Sequence, residues 1–301
     1  MSGKRSAKAC DREAEFMVKY AQLVPLRIAC RVRRRSAERK IKMEVVVCKT
    51  KEEASAIAAA MITDAVKKNH KLVLGLATGS TPVLMYAEMA KAVKAKKVSY
   101  KHVKSWNLDE YVGLAGTHDQ SYRYFMDKNL FEKIDIQIKN THVLNGLAKD
   151  PDKECAAYEA QIKRAGGIDI QVLGIGSDGH IAFNEPGTSL NSRTSVVYLT
   201  PSTIKDNARL FFKGKEDEVP TRALSMGVGT ICEARKCILL AFGKGKAEAV
   251  KGCVEGPVSQ FCTASALQMH NDAWIFCDEA AASKLKLRKY YAWRSATKLG
   301  L

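Results

Sequence analysis

The sequence lacks the long hydrophobic run that a membrane span requires. No uninterrupted apolar segment reaches the roughly 18 residues that such a span needs, and the first residues show no secretory signal pattern. We therefore expect a soluble, cytoplasmic protein with no membrane partner. The nine cysteines include no C-x-x-C pair and no Cys/His cluster, which argues against a disulfide framework and against a zinc site.

Positive charge is unevenly distributed along the chain. Of the formal net charge of +17, residues 1–42 contribute 13 Lys and Arg against 4 Asp and Glu, a net of +9. Residues 43–301 contribute 36 against 28, a net of +8. No basic stripe interleaved with aromatic residues is present, so we expect no nucleic-acid partner. The remaining excess suits an acidic small molecule such as a sugar phosphate.

Two regions are predicted. Residues 1–42 form a basic N-terminal extension, which we interpret as a disordered or accessory tail; a targeting signal and a non-native start upstream of Met43 stay open. Residues 43–301 are predicted to form one α/β domain, because apolar segments of strand length alternate with helical periodicity. Strands are predicted at 44–48, 72–77, 103–108, 168–173, 196–199, 236–242 and 273–277, and helices at 51–68, 82–94, 121–131, 149–165 and 202–212.

The loop after the predicted strand 168–173 concentrates groups that exchange protons. It contains Asp178, His180 and Glu185, with glycines that allow a sharp turn. In open α/β sheets, ligands bind at the carboxyl ends of the strands, and a histidine beside two carboxylates can titrate near neutral pH. The pattern favours a general acid–base site. An ordinary surface turn is the alternative, because Asp-Gly is a common turn pair.

A second loop, Thr78-Gly79-Ser80-Thr81-Pro82, joins a predicted strand to a helix. Pro82 fits the first helical position, with Thr81 or Ser80 as the cap, so the loop would present backbone N–H groups and a helix N-terminus to an anion such as phosphate. An ordinary capped loop is the alternative. No P-loop or dinucleotide-binding fingerprint occurs near this loop, so we expect no nucleotide cofactor.

Two further strand ends carry charged side chains. The segment Asn107-Leu108-Asp109-Glu110-Tyr111 places two adjacent carboxylates after a strand; one of them could serve as a base, or both could simply begin the next turn. Lys244 and Lys246 follow the strand 236–242. These lysines are either solvated or lie at the same edge of the sheet as the Thr78–Pro82 loop, where an ammonium group could bind phosphate.

Taken together, these motifs resemble the glucosamine-6-phosphate deaminase (glucosamine-6-phosphate isomerase) family. The resemblance runs from Met43 to about Lys289. It implies a modified Rossmann-like α/β fold, an open, mostly parallel sheet flanked by helices on both faces. It also implies an enzyme that converts glucosamine 6-phosphate and water to fructose 6-phosphate and ammonia, without a cofactor or metal. The resemblance rests on the blocks at 74–82, 107–113, 176–186, 227–230 and 255–258.

The resemblance also implies roles for individual residues. Asp109 matches the base that moves a proton from C2 to C1 of the open-chain sugar, and His180 matches the group that opens the pyranose ring. Asp178 and Glu185 match the carboxylates that orient this histidine. The implied phosphate ligands are Gly79, Ser80, Thr81, Arg209 and Lys246.

One departure from the family pattern concerns regulation. Bacterial members that respond to N-acetylglucosamine 6-phosphate carry an Arg and a Lys where this chain has Ser195 and Val197. Without these cations, we predict little or no activation by that compound. Members of the family occur as monomers, trimers and hexamers, so homo-oligomer formation stays open.

Two other functions share part of this pattern. A 6-phosphogluconolactonase shares the Gly-x-Asp-Gly-His loop but needs no C2 base and continues differently after the histidine. A non-catalytic sugar-phosphate sensor could dispense with the acid–base residues and would usually be fused to a DNA-binding domain. The sequence keeps Asp109, Asp178, His180 and Glu185 and shows no recognisable helix-turn-helix, which favours the deaminase.

Overall fold

The computed structural model describes residues 42–299, which lie within one compact unit, Ile41–Leu301. Apart from Lys42, the predicted extension 1–42 lies outside the described residues. The strands are β1 (Lys42–Cys48), β2 (Val73–Leu76), β3 (Lys104–Asn107), β4 (Asp109–Tyr111), β5 (Thr141–His142), β6 (Ile170–Leu173), β7 (Ser195–Tyr198), β8 (Arg222–Ser225), β9 (Lys236–Ala241) and β10 (Asp272–Asp278). The α-helices are α1 (Lys51–Lys68), α2 (Val83–Lys94), α3 (Tyr122–Asn129), α4 (Pro151–Arg164), α5 (Pro201–Phe211), α6 (Val228–Cys232), α7 (Ala247–Glu255) and α8 (Arg288–Leu299).

Seven strands form a parallel sheet in the order β1-β10-β9-β6-β2-β3-β5. The central strands β2 and β6 are buried at every position, as expected for parallel strands covered on both faces. Helices flank this sheet, and the predicted modified Rossmann-like α/β fold is confirmed. No helix among the described residues is long and apolar enough to cross a membrane.

Helix α1 illustrates how local sequence sets the element boundaries. The Thr50 hydroxyl accepts the backbone N–H of Glu53 at 3.1 Å, which satisfies one of the free donors of the first helical turn. Ala54, Ala58 and Ile62 are fully buried on the face that packs under the sheet. Spacings of four residues place these side chains on one stripe, so the predicted helix 51–68 is confirmed at both ends.

A second sheet of three antiparallel strands, in the order β4-β8-β7, was not predicted. The predicted strand 196–199 belongs to this sheet rather than to the main one. The chain leaves β3 at Asn107 and enters the small sheet at Asp109 after a single residue, Leu108. Leu108 joins both sheets, because its N–H donates to Leu76 O at 3.1 Å and its carbonyl accepts Met226 N–H at 2.7 Å. Asp109 is therefore held where the two sheets meet.

Candidate active site

A cleft of about 860 Å³ opens at the carboxyl ends of the parallel strands. This is the edge where open α/β folds bind ligands. Eight of the nine residues predicted for the site line the cleft; Glu185 does not line it but contacts His180 from behind. The eight are Gly79, Ser80, Thr81, Asp109, Asp178, His180, Arg209 and Lys246.

The loop after β6 folds tightly because two of its glycines leave room for neighbours. A Cβ on Gly176 would lie 2.4 Å from Cε1 of His180 and 2.6 Å from Oδ1 of Asp178, so only glycine lets the imidazole occupy its place. Gly179 has a φ of +92°, and a Cβ there would lie 2.6 Å from Sγ of Cys262. The turn is closed by a hydrogen bond from Gly176 N–H to His180 O at 2.8 Å.

His180 lies between two carboxylates. Its Nδ1 is 2.8 Å from Oδ1 of Asp178 and 3.5 Å from Oε2 of Glu185. Burial of the imidazole opposes protonation, but the two carboxylates close to Nδ1 outweigh burial and raise the pKa of His180 to about 9. Burial likewise works against the charged form of Asp178, yet its hydrogen bond to His180 lowers the pKa of that carboxyl to about 2. The arrangement fixes the ring and stabilises the imidazolium.

Asp109 has a carboxyl suited to accept and return a proton near neutral pH. The residue is 6% exposed, and burial raises its pKa to about 7; the neighbouring charge of Glu110 adds to this rise, while His180 and a hydrogen bond to Thr78 oppose it. Its Oδ1 is buried and has no hydrogen-bond partner among the described residues. A base whose pKa lies near the working pH is the most effective for proton transfer.

Glu110, the adjacent acid, has a different environment. Its carboxylate accepts the backbone N–H groups of Tyr111, Tyr122 and Arg123 at 2.9, 2.9 and 3.0 Å. Two of these donors belong to the first turn of α3, so the carboxylate occupies the N-terminus of that helix, where a negative charge is favourable. Successive residues of a strand point to opposite faces, which explains why Asp109 lines the cleft and Glu110 does not.

The Thr78–Pro82 loop faces the cleft, but its cap differs from the prediction. Helix α2 begins at Val83, Pro82 occupies the N-cap position, and no side chain caps the helix. Neither Thr81 nor Ser80 is therefore the cap. Since no hydrogen bond from the backbone N–H groups of Gly79, Ser80 and Thr81 occurs within residues 42–299, these donors are available to an anion at the helix N-terminus.

Two cations lie beside this loop. Lys246 lines the cleft, and burial lowers the pKa of its ammonium, an effect that Asp206 and Asp178 oppose. Arg209, on the last turn of α5, lies 3.3 Å from Oδ1 of Asp206 through its Nη2. Its side chain is 69% exposed, so this ion pair is weak and the guanidinium can still turn towards a ligand.

Helix α5 also contacts the acid–base residues, which the sequence did not predict. Thr203 donates its hydroxyl to Oε1 of Glu185 at 2.5 Å, and Asn207 donates its amide to the Tyr111 hydroxyl at 2.8 Å. The helix that carries Arg209 is thus tied to the carboxylate behind His180 and to strand β4. The sequence signal for these contacts was a hydroxyl residue and an amide residue spaced so that they share one face of a helix. This spacing is too common to predict a site.

Two features of the cleft resemble parts of a metal site and of a dinucleotide site. Among residues 42–299, Asp178, His180 and Glu185 are the three side chains whose ligand atoms come close enough, all within 4.8 Å of one another, to hold a metal ion. The same atoms already form the imidazole–carboxylate contacts described above. Gly174, Gly176 and Gly179 have the spacing of a dinucleotide fingerprint, but the described loop leads into no helix whose N-terminus could bind a pyrophosphate.

A cluster of positive charge in the domain also lies away from this cleft. Residues 67–104 carry nine lysines and one glutamate, a net of +8, so the rest of residues 43–301 is balanced at 27 of each sign. These lysines are all exposed. They lie at the last turns of α1 and α2, in the loops that follow, and at the first residue of β3, which is the opposite edge of the parallel sheet.

Comparisons with known proteins agree with this architecture. A family model described as glucosamine-6-phosphate isomerases/6-phosphogluconolactonase matches residues 49–275. The glucosamine-6-phosphate deaminase of Shewanella loihica is 53% identical over 249 residues, 83% of this chain and 92% of that protein. The enzyme of the same name from Clostridium perfringens is 48% identical over 244 residues, 81% of this chain and 100% of that protein.

Solved structures give the same result. The structure of a monomeric glucosamine-6-phosphate deaminase matches with a TM-score of 0.78 and 43% identity, over 80% of this chain and 100% of that one. The 6-phosphogluconolactonase from Trypanosoma cruzi matches with a TM-score of 0.64 and 22% identity, over 82% and 98%, and shows the shared fold alone. By sequence and by structure, the chain belongs to the family of glucosamine-6-phosphate isomerases and 6-phosphogluconolactonases.

Proposed function

We propose that this chain is a glucosamine-6-phosphate deaminase, which converts glucosamine 6-phosphate and water to fructose 6-phosphate and ammonia. The observation that carries the proposal is the presence in one cleft of a buried carboxyl at Asp109, whose Oδ1 has no hydrogen-bond partner among the described residues, and of an imidazole at His180 with two carboxylates beside it. Isomerisation of an amino sugar needs both groups, because the ring must open before the proton on C2 can move.

In the first step, His180 transfers a proton to the ring oxygen and the pyranose opens to the aldehyde. Asp178 and Glu185 support this role, because their charges hold the imidazole protonated and in one orientation. Removal of either carboxylate would leave the ring less well oriented. General acid catalysis of this kind contributes about 10²- to 10⁴-fold.

In the second step, Asp109 removes the proton from C2 and returns it to C1. The enolamine that forms is converted to a C2 imine, and water attacks C2 to release ammonia and leave the ketone of fructose 6-phosphate. A pKa of about 7 supports this cycle, since the carboxyl must accept a proton and then donate it.

The phosphate group would bind to the backbone of Gly79, Ser80 and Thr81 together with Arg209 and Lys246. A guanidinium can bind two phosphate oxygens at once, and an ammonium adds a point charge. Binding at this end would place C1 and C2 beside the acid–base residues. This proximity itself lowers the barrier to reaction.

Ammonia release from glucosamine 6-phosphate, measured beside hydrolysis of 6-phosphogluconolactone, tests the proposal. We expect ammonia release and no lactone hydrolysis. Hydrolysis of the lactone without ammonia release would instead make the chain a lactonase of the same family. The Asp109→Asn variant is a matched control: a deaminase needs this base, whereas lactone hydrolysis takes place at the C1 carbonyl and moves no proton from C2, so a lactonase should keep its activity.

A cytoplasmic location is also part of the proposal. Seven cysteines of the described residues are free, and five of these are buried. Free thiols are typical of proteins in reducing compartments. Fractionation of the producing cells with an antibody to the chain tests the location.

A further inference from the structure

Asp278 lines the cleft without a role in the mechanism above. It is the last residue of β10. Its carboxylate accepts backbone hydrogen bonds: Gly243 N–H lies 3.0 Å from each of the two oxygens, and Ala281 N–H donates to Oδ1 at 2.8 Å. Hydrogen bonds to an ionised acceptor are about twice as strong as neutral ones. The carboxylate therefore joins the loop after β9 to the loop after β10.

Gly243 begins the turn that carries Lys246. Its φ of +85° and ψ of 159° belong to a region that is open essentially to glycine alone. The carbonyl of Gly243 accepts Lys246 N–H at 3.0 Å, and residues Lys244–Lys246 form a short 3₁₀ helix. Two hydrogen bonds thus lead from the Asp278 carboxylate to the backbone of Lys246.

The Lys246 side chain depends on this backbone for its position. Its ammonium forms no ion pair in the part of the chain that the structure describes, and Asp206 and Asp178 act on it only through their charges. A lysine side chain has about 2 kcal/mol of rotamer entropy to lose when it binds. A turn that moves would therefore add directly to the cost of holding the ammonium against a phosphate.

We propose that Asp278 is a positioning residue for substrate binding, which acts through Gly243 to hold the turn that presents Lys246 to the phosphate. The proposal rests on the proposed function and deepens it. Asp278 is not itself a ligand, because it carries the same sign of charge as phosphate and its oxygens are occupied by backbone N–H groups.

The expected effect of Asp278→Ala is on binding. The phosphate is remote from C1 and C2, and Asp278→Ala leaves its other ligands in place, so we expect the weaker Lys246 contact to raise KM and to leave kcat within about twofold. We expect KM, and the inhibition constant of inorganic phosphate, to rise about tenfold, the value of one charge-assisted hydrogen bond. Asp278→Asn, which keeps the shape and one acceptor oxygen, should have a smaller effect and covers the case in which the alanine variant folds poorly.

A double-mutant cycle with Lys246→Ala tests the route of action. If Asp278 acts through Lys246, the double variant will bind phosphate no more weakly than Lys246→Ala alone. Asp272→Asn is the control: Asp272 is at the opposite end of the same strand and pairs with Lys236 at 2.5 Å, so its loss should change stability but not KM.

Three results would overturn the proposal: an unchanged KM in Asp278→Ala, full additivity with Lys246→Ala, or an equal rise of KM in Asp272→Asn. Titration with inorganic phosphate, monitored by calorimetry, measures phosphate binding by each protein of the double-mutant cycle and needs no turnover. A wild-type chain that released no ammonia would end the proposed function, while the phosphate titration would still decide the role of Asp278.

Discussion

Replacement of Asp109 by Asn should abolish most of the activity and at the same time stabilise the fold. As the proposed base, Asp109 accounts for a factor of about 10²–10⁴ in kcat. Its carboxyl is 6% exposed, and burial raises its pKa from 3.8 to about 7. A difference of about three pKa units at 1.36 kcal/mol each makes ionisation of the folded state cost up to about 4 kcal/mol.

The sign of this cost depends on pH. A carboxyl whose folded pKa is above its unfolded value destabilises the fold as the pH rises: the cost is absent below pH 3.8, grows up to about pH 7 and is complete above it. Asparagine does not ionise, so its advantage over aspartate should grow by about 2–3 kcal/mol between pH 5 and pH 8. The effects of Asn that come from shape alone do not vary with pH.

Urea unfolding of both proteins at pH 5 and pH 8, beside ammonia release from glucosamine 6-phosphate, measures these effects. The inhibition constant of inorganic phosphate serves as the control for an intact binding site and should not change. A difference in unfolding free energy that is the same at both pH values would refute the buried, raised-pKa carboxyl. Undiminished turnover would refute its role as the base.

Three further predictions concern the rest of the site. Glu185→Gln removes an anion beside His180, so the pKa of the imidazole should fall from about 9 and the alkaline limb of the pH profile of kcat/KM should move down by about one unit; an unmoved limb would contradict the contact. Arg209→Lys should raise KM about tenfold with kcat nearly unchanged, because an ammonium cannot bind two phosphate oxygens, whereas an equal loss in kcat would place Arg209 in the chemical step. Saturating N-acetylglucosamine 6-phosphate should leave KM unchanged, since Ser195 and Val197 provide no cation, and a several-fold fall in KM would refute this.

Six of the seven strands of the main sheet could be predicted from the sequence, because most of them are apolar runs; β5 has only two residues, Thr141–His142, and was not predicted. Strands β2 and β6 are buried on both faces, so each is mainly apolar in sequence and can be recognised without knowing which strands pair with it. The convergence of the phosphate loop and the loop after β6 also followed from sequence, because both leave parallel strands at their carboxyl ends.

The small sheet could not be predicted as a sheet: β7 matches the predicted strand 196–199, but no strand was predicted at β4 or β8, and nothing in the sequence shows that the three pair. Strand β4 has three residues, two of them acidic, and β7 is partly exposed along its whole length. Each forms only by pairing with β8, which lies more than 20 residues away from β7 in sequence. The contacts of Thr203 and Asn207 could not be predicted either, because no sequence pattern shows which face of α5 packs against the cleft. For the same reason the locations of Asp109 and Glu110 on opposite faces emerged only from the structure.

The lysine-rich edge has a consequence for how an anion approaches the cleft. The nine exposed lysines of residues 67–104 place a local excess of positive charge at the edge of the sheet opposite the catalytic loops. Strands of four to seven residues separate the two edges by about 13–23 Å at 3.3 Å per residue, whereas salt screens charges beyond about 8 Å in physiological conditions. Long-range steering by these lysines would therefore direct a sugar phosphate to the wrong edge in dilute salt and would have little influence in the cell. Capture must rest on the short-range contacts of the cleft itself.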